Sequence, residues 1–391
     1  MELQRIGQAL SFRRIGAIYV WVLIIIVFSA ISPDEFMSTG TIQAVFNGYS
    51  ISGLAALAIL LPLVTGTYDV SVGGNISVSG VICAALLIHT SLPVAVVVIL
   101  TLLCGVVVGL VNTLVVVVLR IPSLIGTLAV AGIADALSVA FSGNQILSSP
   151  AVAGSFSKYL SQANWGGYTI PVLFVLVIMV VLDWVLKQTA AGRYGYAVGF
   201  DPNVARLAGI RVPATQAGSL IVSGVIGSFA GVVLTAHVAS ATPGSGDAYL
   251  LPAFAAVFLG STQFKARRFN ALGTVIAVFM LGTGQYGLVI AGGPTWSPNV
   301  FQGVALIAAI GLTHLGDPNR VPLRARRPGR VAPDGSGAAG ADGAEPNGAG
   351  PGGAGPDGAD RGGAGPGGAD QGGGPPAGAG DDRLQTGAVA S

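Results

Sequence analysis

Apolar stretches of bilayer-spanning length alternate with short links rich in Gly, Pro and basic residues up to about residue 315. A helix of about 20 apolar residues crosses the hydrocarbon core of a membrane. Runs that meet or approach this length lie at Ile15 to Ser32, Thr41 to Leu63, Val70 to His89, Val94 to Leu119, Leu124 to Phe141, Tyr168 to Leu186, Ala214 to Val238, Tyr249 to Ser261, Asn270 to Ala291 and Val300 to His314. The pattern predicts an all-α, polytopic membrane protein with about ten transmembrane helices. Val70 to His89 is rich in Ser and Gly, and Tyr249 to Ser261 is short. Each is a candidate for a re-entrant or broken segment, which is tolerated only where protein or a water-filled cavity satisfies the backbone. Glycines four apart, Gly105 with Gly109 and Gly227 with Gly231, let helix backbones approach closely, and packing alone explains them.

Composition agrees with the pattern. Hydrophobic residues make up 52% of the chain and charged residues 9%, and the mean hydropathy is +0.73. A soluble domain needs a far more charged surface. Cys83 and Cys104 both fall inside apolar runs and read as small buried hydrophobes. The chemistry of the chain changes near residue 316: a basic segment follows, and from Val331 to Ser391 the sequence is almost entirely Gly, Ala, Pro and Asp. That stretch holds too little apolar surface to offset the entropy of ordering it, so residues 316–391 are expected to form a basic segment and a disordered tail.

Charge sets the orientation. Arg5, Arg13 and Arg14 precede the first run, which is long for a signal peptide and lacks a small-x-small cleavage site before Pro33. It reads as a signal anchor, with residues 1–14 cytoplasmic and the membrane domain at 15–315. Ten spans then place every one of the 19 lysines and arginines on the cytoplasmic side except Lys158. Both termini fall in the cytoplasm, and so does the long link at 187–213.

That link is polar and carries its own helix signals. Asp201 stands where an N-cap would be, Pro202 at the first helical position, and Asn203, Val204, Ala205, Arg206, Leu207 and Ala208 follow as a short helix. Gly209 sits where a C-terminal glycine would stop it, before Ile210. Physics alone leaves two readings, a docking knob or an ordinary connector.

The residues "GRYGYAVGFDPNVARLAGIRV" resemble the cytoplasmic loop of the permease subunits of ATP-binding-cassette importers for simple sugars, the ribose, xylose and galactose group within the branched-chain permease superfamily. "TGTYDVSVGGNISVSG" is similar to the T-G-G-I-D-L-S-V-G segment of these permeases, so Asp69, Ser71 and Gly73 stand in a family motif. "GLVNTLVVVVLRIPSLIGTLAVAGIADAL" and "GSGDAYLLPAFAAVFLGSTQF" resemble two further family stretches, in the family's order. Departures include Thr67 and Tyr68 for Gly-Ile, Asp135 where many relatives have Arg, and Gly260-Ser261 for Gly-Gly. The resemblance covers about residues 40 to 315. It implies a coupling helix from Asp201 to Ile210 that docks on a separate ATPase subunit. It also implies a second permease copy or paralogue, an extracytoplasmic solute-binding protein, a sugar-like solute, and a bacterial plasma membrane.

Polar residues inside the runs are few. Asp69, at the edge of the third run, either stays hydrated or caps a helix N-terminus with Ser71, a structural reading preferred over transport. Asp135 falls mid-run, where a charge costs about 2.5 to 3.5 kcal/mol on insertion scales, so it faces a path or a partner. Asn112, His237, Gln285 and Tyr286 are the other candidates for a path, and Trp165 or Trp296 could stack on a sugar ring; interhelical hydrogen bonds and an interfacial aromatic belt are the plainer explanation of each. Each of Lys158, Lys187 and Lys265 follows a residue other than Gly, so no phosphate loop is present, and ATP binding falls to a partner chain. No metal or nucleophile motif occurs. The expected function is transport without cofactor or catalysis. The alternatives are an ion-coupled secondary transporter, or a permease of the same superfamily for branched-chain amino acids or nucleosides.

Overall fold

The computed structural model describes residues 12–162, 164–262 and 268–315. Helices occupy every apolar run: α1 Phe12–Ile31, α3 Thr39–Val64, α4 Val72–His89, α5 Val94–Thr113, α6 Ser123–Ser142, α7 Ile170–Gln188, α10 Val212–Val238, α11 Leu250–Ser261, α12 Ala271–Ile290 and α13 Ser297–Leu315. Between them lie the short helices α2 Pro33–Phe36, α8 Ala190–Phe200 and α9 Pro202–Leu207. Among the described residues, seven helices are long and apolar enough to cross a membrane: α3, α4, α5 with its extension to Val118, α6, α7, α10 and α12. Tyr19–Ile31 and Asp247–Ser261 are shorter apolar helices. Residues 1–11 with Arg5, residues 263–267 with Lys265 and Arg267, and the segment at 316–391 lie outside the described residues, whereas Arg13 and Arg14 fall in the first turn of α1.

Burial sorts the helices into a centre and a rim. The apolar stretch of α4 is 72% buried, that of α5 only 22%, yet α5 is the run of Val and Leu while α4 is rich in Ser and Gly. Lipid favours large apolar side chains on the outside, whereas close helix packing requires small ones inside. The Ser and Gly content of α4 therefore marks its central place, and the helix runs unbroken from Val72 to His89. The expectation of a re-entrant or broken segment there is corrected. The segment at the other weak run is a helix of 12 residues preceded by a single 3₁₀ turn, Asp247–Tyr249.

The core is built around α3. Leu54 to Leu60 are fully buried, packed against α10, α11 and α12 through Ala230, Val233, Ala253, Ala256 and Val278. A Cβ at Gly109 would lie 2.6 Å from the Ile221 backbone of α10, and Gly105 faces the carbonyl of Gly224 just as tightly. Across α10, Gly231 lies against the Ile76 carbonyl of α4. These glycines are where backbones meet. Cys83 is buried within a second cluster, and both cysteines are free thiols.

Two small ladders went unread in the sequence. Leu147 and Ser148 (β1) pair antiparallel with Ala241 and Ser240 (β4), and Asn164–Trp165 (β2) pairs with Tyr168–Thr169 (β3). The β2–β3 turn is Gly166–Gly167, with φ of 62° and 90°, the left-handed pair that a two-residue hairpin requires. Asn47 of α3 fastens this hairpin, donating to the Gly167 carbonyl (3.0 Å) and accepting from the Thr169 amide (2.9 Å).

Candidate functional site

The link after α7 is a folded unit rather than a bare connector. Thr189 caps α8, its hydroxyl accepting from the Gly192 amide. Asp201 ends α8 and caps α9, its Oδ1 accepting from the amides of Asn203 (2.8 Å) and Val204 (3.2 Å). Pro202 occupies the first turn, where its missing N–H costs nothing. Gly209, at φ 81°, turns the chain out of α9, and the Ile210 amide returns to the Ala205 carbonyl at 3.0 Å. The 11 residues before α9, Ala190–Phe200, form a helix of their own, α8.

Only one side of α9 is anchored. Ala205 is buried with Val198 of α8 and Val212 of α10, and Ala197 and Ile210 close over them. Leu207 is 90% exposed, Val204 59% and Phe200 92%; Asn203, Arg206 and Ala208 are exposed beside them. Val204 and Leu207 stand three apart, on one helix face.

The unit is fastened to the spans at several points. Gly199 is pressed against the carbonyl of Val64, the last residue of α3, and Gly66, at φ 77°, faces it from the following turn. The Thr65 hydroxyl lies 3.0 Å from that of Ser219 on α10. Tyr196 donates to the Phe269 carbonyl at 2.5 Å, and the Arg268 guanidinium stands over its ring at 5.6 Å. Burial raises the Tyr196 hydroxyl above its ordinary pKa, against the pull of Arg268 and with the push of Asp183. A cavity of about 650 Å³ lies beside these fastenings, bordered by Leu61, Tyr194, Gly209, Arg211 and Gly218.

Asp69 organises a second cluster. It is fully buried, so the hydrated alternative is corrected. Its Oδ1 accepts from the Ser71 amide (3.0 Å), the Ser71 hydroxyl (2.6 Å) and Asn112 Nδ2 (3.3 Å), and its Oδ2 accepts from the Ser223 hydroxyl (2.7 Å). Val70 N donates to Thr127 Oγ1 at 3.0 Å and Tyr68 N to Ser123 Oγ at 3.1 Å. One seven-residue connector, Thr65 to Ser71, thus ties α5, α6 and α10 together at the start of α4. Gly73 is next to Asp247, whose Oδ1 would lie 2.9 Å from a Cβ there.

The residues considered for a path divide. Asn112 is wholly buried and bonded to Asp69 and Ser71 (2.6 Å), so it belongs to the Asp69 cluster. The His237 Nδ1 lies 2.9 Å from the Ser161 hydroxyl, joining the end of α10 to the 158–162 turn. Gln285 Oε1 accepts from Tyr49 at 3.3 Å while its Nε2 is buried without a partner, and Tyr286 beside it is half-buried. Asp135 is half-buried with Oδ1 unpartnered and lies within electrostatic reach of Asp247. Among the described residues the one ion pair is Lys187 with Asp183, so Asp135 has no cation to balance it. Asp247 stands 112 positions from Asp135 in the sequence (247 − 135), so no local pattern connects the two. Trp165 and Trp296 are both strongly exposed.

Residues 41–310 match the family model described as branched-chain amino acid transport system / permease component. The ribose import permease protein of Bacillus subtilis (strain 168) is 26% identical over 309 residues, covering 79% of this chain and 95% of that protein. The fructose import permease protein of Rhizobium meliloti is 28% identical over 299 residues, 75% of this chain and 83% of the relative. The autoinducer 2 import system permease protein of Escherichia coli (strain K12) is 27% identical over 292 residues, 74% of this chain and 88% of the relative. No solved structure matches the chain.

Proposed function

Because the chain belongs to the family of branched-chain amino acid transport system permease components, we propose that it is the membrane-spanning permease subunit of an ATP-binding-cassette importer for a monosaccharide or related sugar-like solute. The similar import permeases named for ribose and fructose favour a sugar over an amino acid or a nucleoside. Membership of a permease family speaks against an ion-coupled carrier built around Asp135. The chain spans the bacterial plasma membrane ten times with both termini in the cytoplasm. It pairs with a second copy or a paralogue, two cytoplasmic ATPases that bind the ATP, and an extracytoplasmic solute-binding protein.

The observation that carries this reading is α9, capped at both ends, with Val204 and Leu207 turned outward from a single buried anchor, Ala205. Exposed apolar residues clustered on a small rigid helix fit a protein groove better than water. When the ATPases close, a push on α9 passes through Gly199 to the end of α3 and through Thr65 to Ser219 on α10. The response is a rigid-body shift rather than local bending, because the packed contacts have no slack. Reconstitution in proteoliposomes with the ATPase and binding protein tests the function. Ribose or fructose with the binding protein should raise ATP hydrolysis several-fold and accumulate in the vesicle lumen; uptake driven by an ion gradient without ATP would overturn the reading.

A further inference from the structure

We propose that the cavity beneath α8 holds the phosphate of an anionic phospholipid headgroup. The cavity measures about 730 Å³ and is lined by Lys187, Arg193 and Arg268, with Tyr196, Phe200, Val204 of α9 and the start of α12 at Asn270 also on its wall. That volume is ordinary for a small-molecule site. The cations come from three separate segments, the end of α7, the middle of α8 and the approach to α12, and converge on one space.

Two of the three charges are free to act outward. Asp183 pairs through Oδ2 with Lys187 at 2.6 Å, and Asp201 accepts from the α9 amides. Among the described residues neither Arg193 nor Arg268 has an acidic partner. Arg193 reaches only the Gln188 carbonyl at 3.4 Å, and Arg268 lies over the Tyr196 ring. A guanidinium pair with unused donors suits phosphate oxygens better than any neutral ligand.

The outer face of α7 identifies the source of that phosphate. Val177, Val180, Val181 and Trp184 are all about half exposed or more and repeat at three and four residues, which makes a continuous apolar stripe of the kind acyl chains cover. Lys187 continues this stripe by three residues and turns it from apolar to cationic, and Trp184, one turn before it, is of the residue type enriched at membrane interfaces. A lipid lying along the stripe would bring its headgroup to the cavity mouth. Basic pockets between membrane helices bind anionic headgroups in this way. The inference rests on the chain spanning a membrane; because Val204 of α9 also borders the cavity, lipid retention and ATPase recovery are read separately on each variant.

The test uses the full chain reconstituted in vesicles of phosphatidylcholine and phosphatidylglycerol, extracted in mild detergent, with retained lipid counted by native mass spectrometry. The wild type should keep phosphatidylglycerol in preference to phosphatidylcholine. The Arg193→Ala/Arg268→Ala variant should lose that preference by about fivefold per arginine, while Arg193→Lys/Arg268→Lys retains most of it. Lys158→Ala, outside the cavity, should behave as wild type. Equal retention by wild type and the alanine variant would overturn the proposal. So would displacement of the lipid by millimolar inorganic phosphate, which would make this a free-phosphate site. A loss of bound ATPase by the alanine variant with no change in lipid would assign the surface to the ATPase instead. Folding is monitored by gel filtration, and the lysine variant keeps the comparison valid should the alanine variant misfold.

Discussion

Gly199 of α8 faces the carbonyl of Val64, the last residue of α3, so closely that no side chain fits between them. The contact joins the exposed helix unit to α3, the helix around which the core is built. A methyl group at this point meets backbone rather than a flexible side chain, so α8 must move away. Gly199→Ala should therefore leave ATPase bound but cut solute-stimulated hydrolysis several-fold, and lower stability by about 1–3 kcal/mol as overpacking does. Comparing ATPase co-purification with stimulated turnover separates the two effects.

Asp201 caps α9 through two amides. Asp201→Ala should destabilise that helix by about 1 kcal/mol, and Asp201→Asn or Asp201→Ser should restore it. Hydrogen exchange at the amides of residues 203–207 reads this directly: faster in the alanine variant, near wild type in the other two.

Asp69 receives hydrogen bonds from Ser71, Asn112 and Ser223 without exposure to water. Asp69→Asn keeps an acceptor for the donors on Oδ1, and Ser223 can rotate its hydroxyl to accept from the new amide. Asp69→Leu leaves buried donors unmatched at about 1–3 kcal/mol each. Purified Asp69→Asn should show a Tm a few degrees below wild type, and Asp69→Leu should fail to yield folded protein.

Glycines on the helices are not equivalent. Gly105 meets the Gly224 carbonyl and the Ser228 side chain, whereas Gly132 on α6 has no neighbour within 4 Å. Gly105→Val should separate α5 from α10 and abolish expression of folded protein. Gly132→Ala should leave the Tm unchanged or slightly raised, since Ala is the better helix former.

The helix positions were legible because lipid-facing sequence is apolar all round, and α9 was legible because Asp201, Pro202 and Gly209 are local stop and start signals. What the sequence hid was set by tertiary contact. In α8, Gly192, Gly195 and Gly199 lower helix propensity, yet they are there because Leu186, Val64 and the turn at Gly66 come close. The same holds for α4, whose Ser and Gly content reads as weakness until its neighbours are seen. Asn112 and Asp69 looked like unrelated polar residues until α5 brought one to the other. The approach of Asp247 to Asp135 has no local signature at all.

The outward face of α9 is the centre of the account. The most direct test is recovery of ATPase from native membranes with the full chain as bait, beside a Val204→Asp/Leu207→Asp variant at equal expression. Both side chains are exposed, so the variant should fold normally by gel filtration and thermal melting. Burying two such residues in a partner contributes about 1.5–3 kcal/mol each, so the account predicts loss of the ATPase by a factor of ten or more from the variant alone. Equal recovery with both chains would contradict it and leave α9 as a connector between α8 and α10.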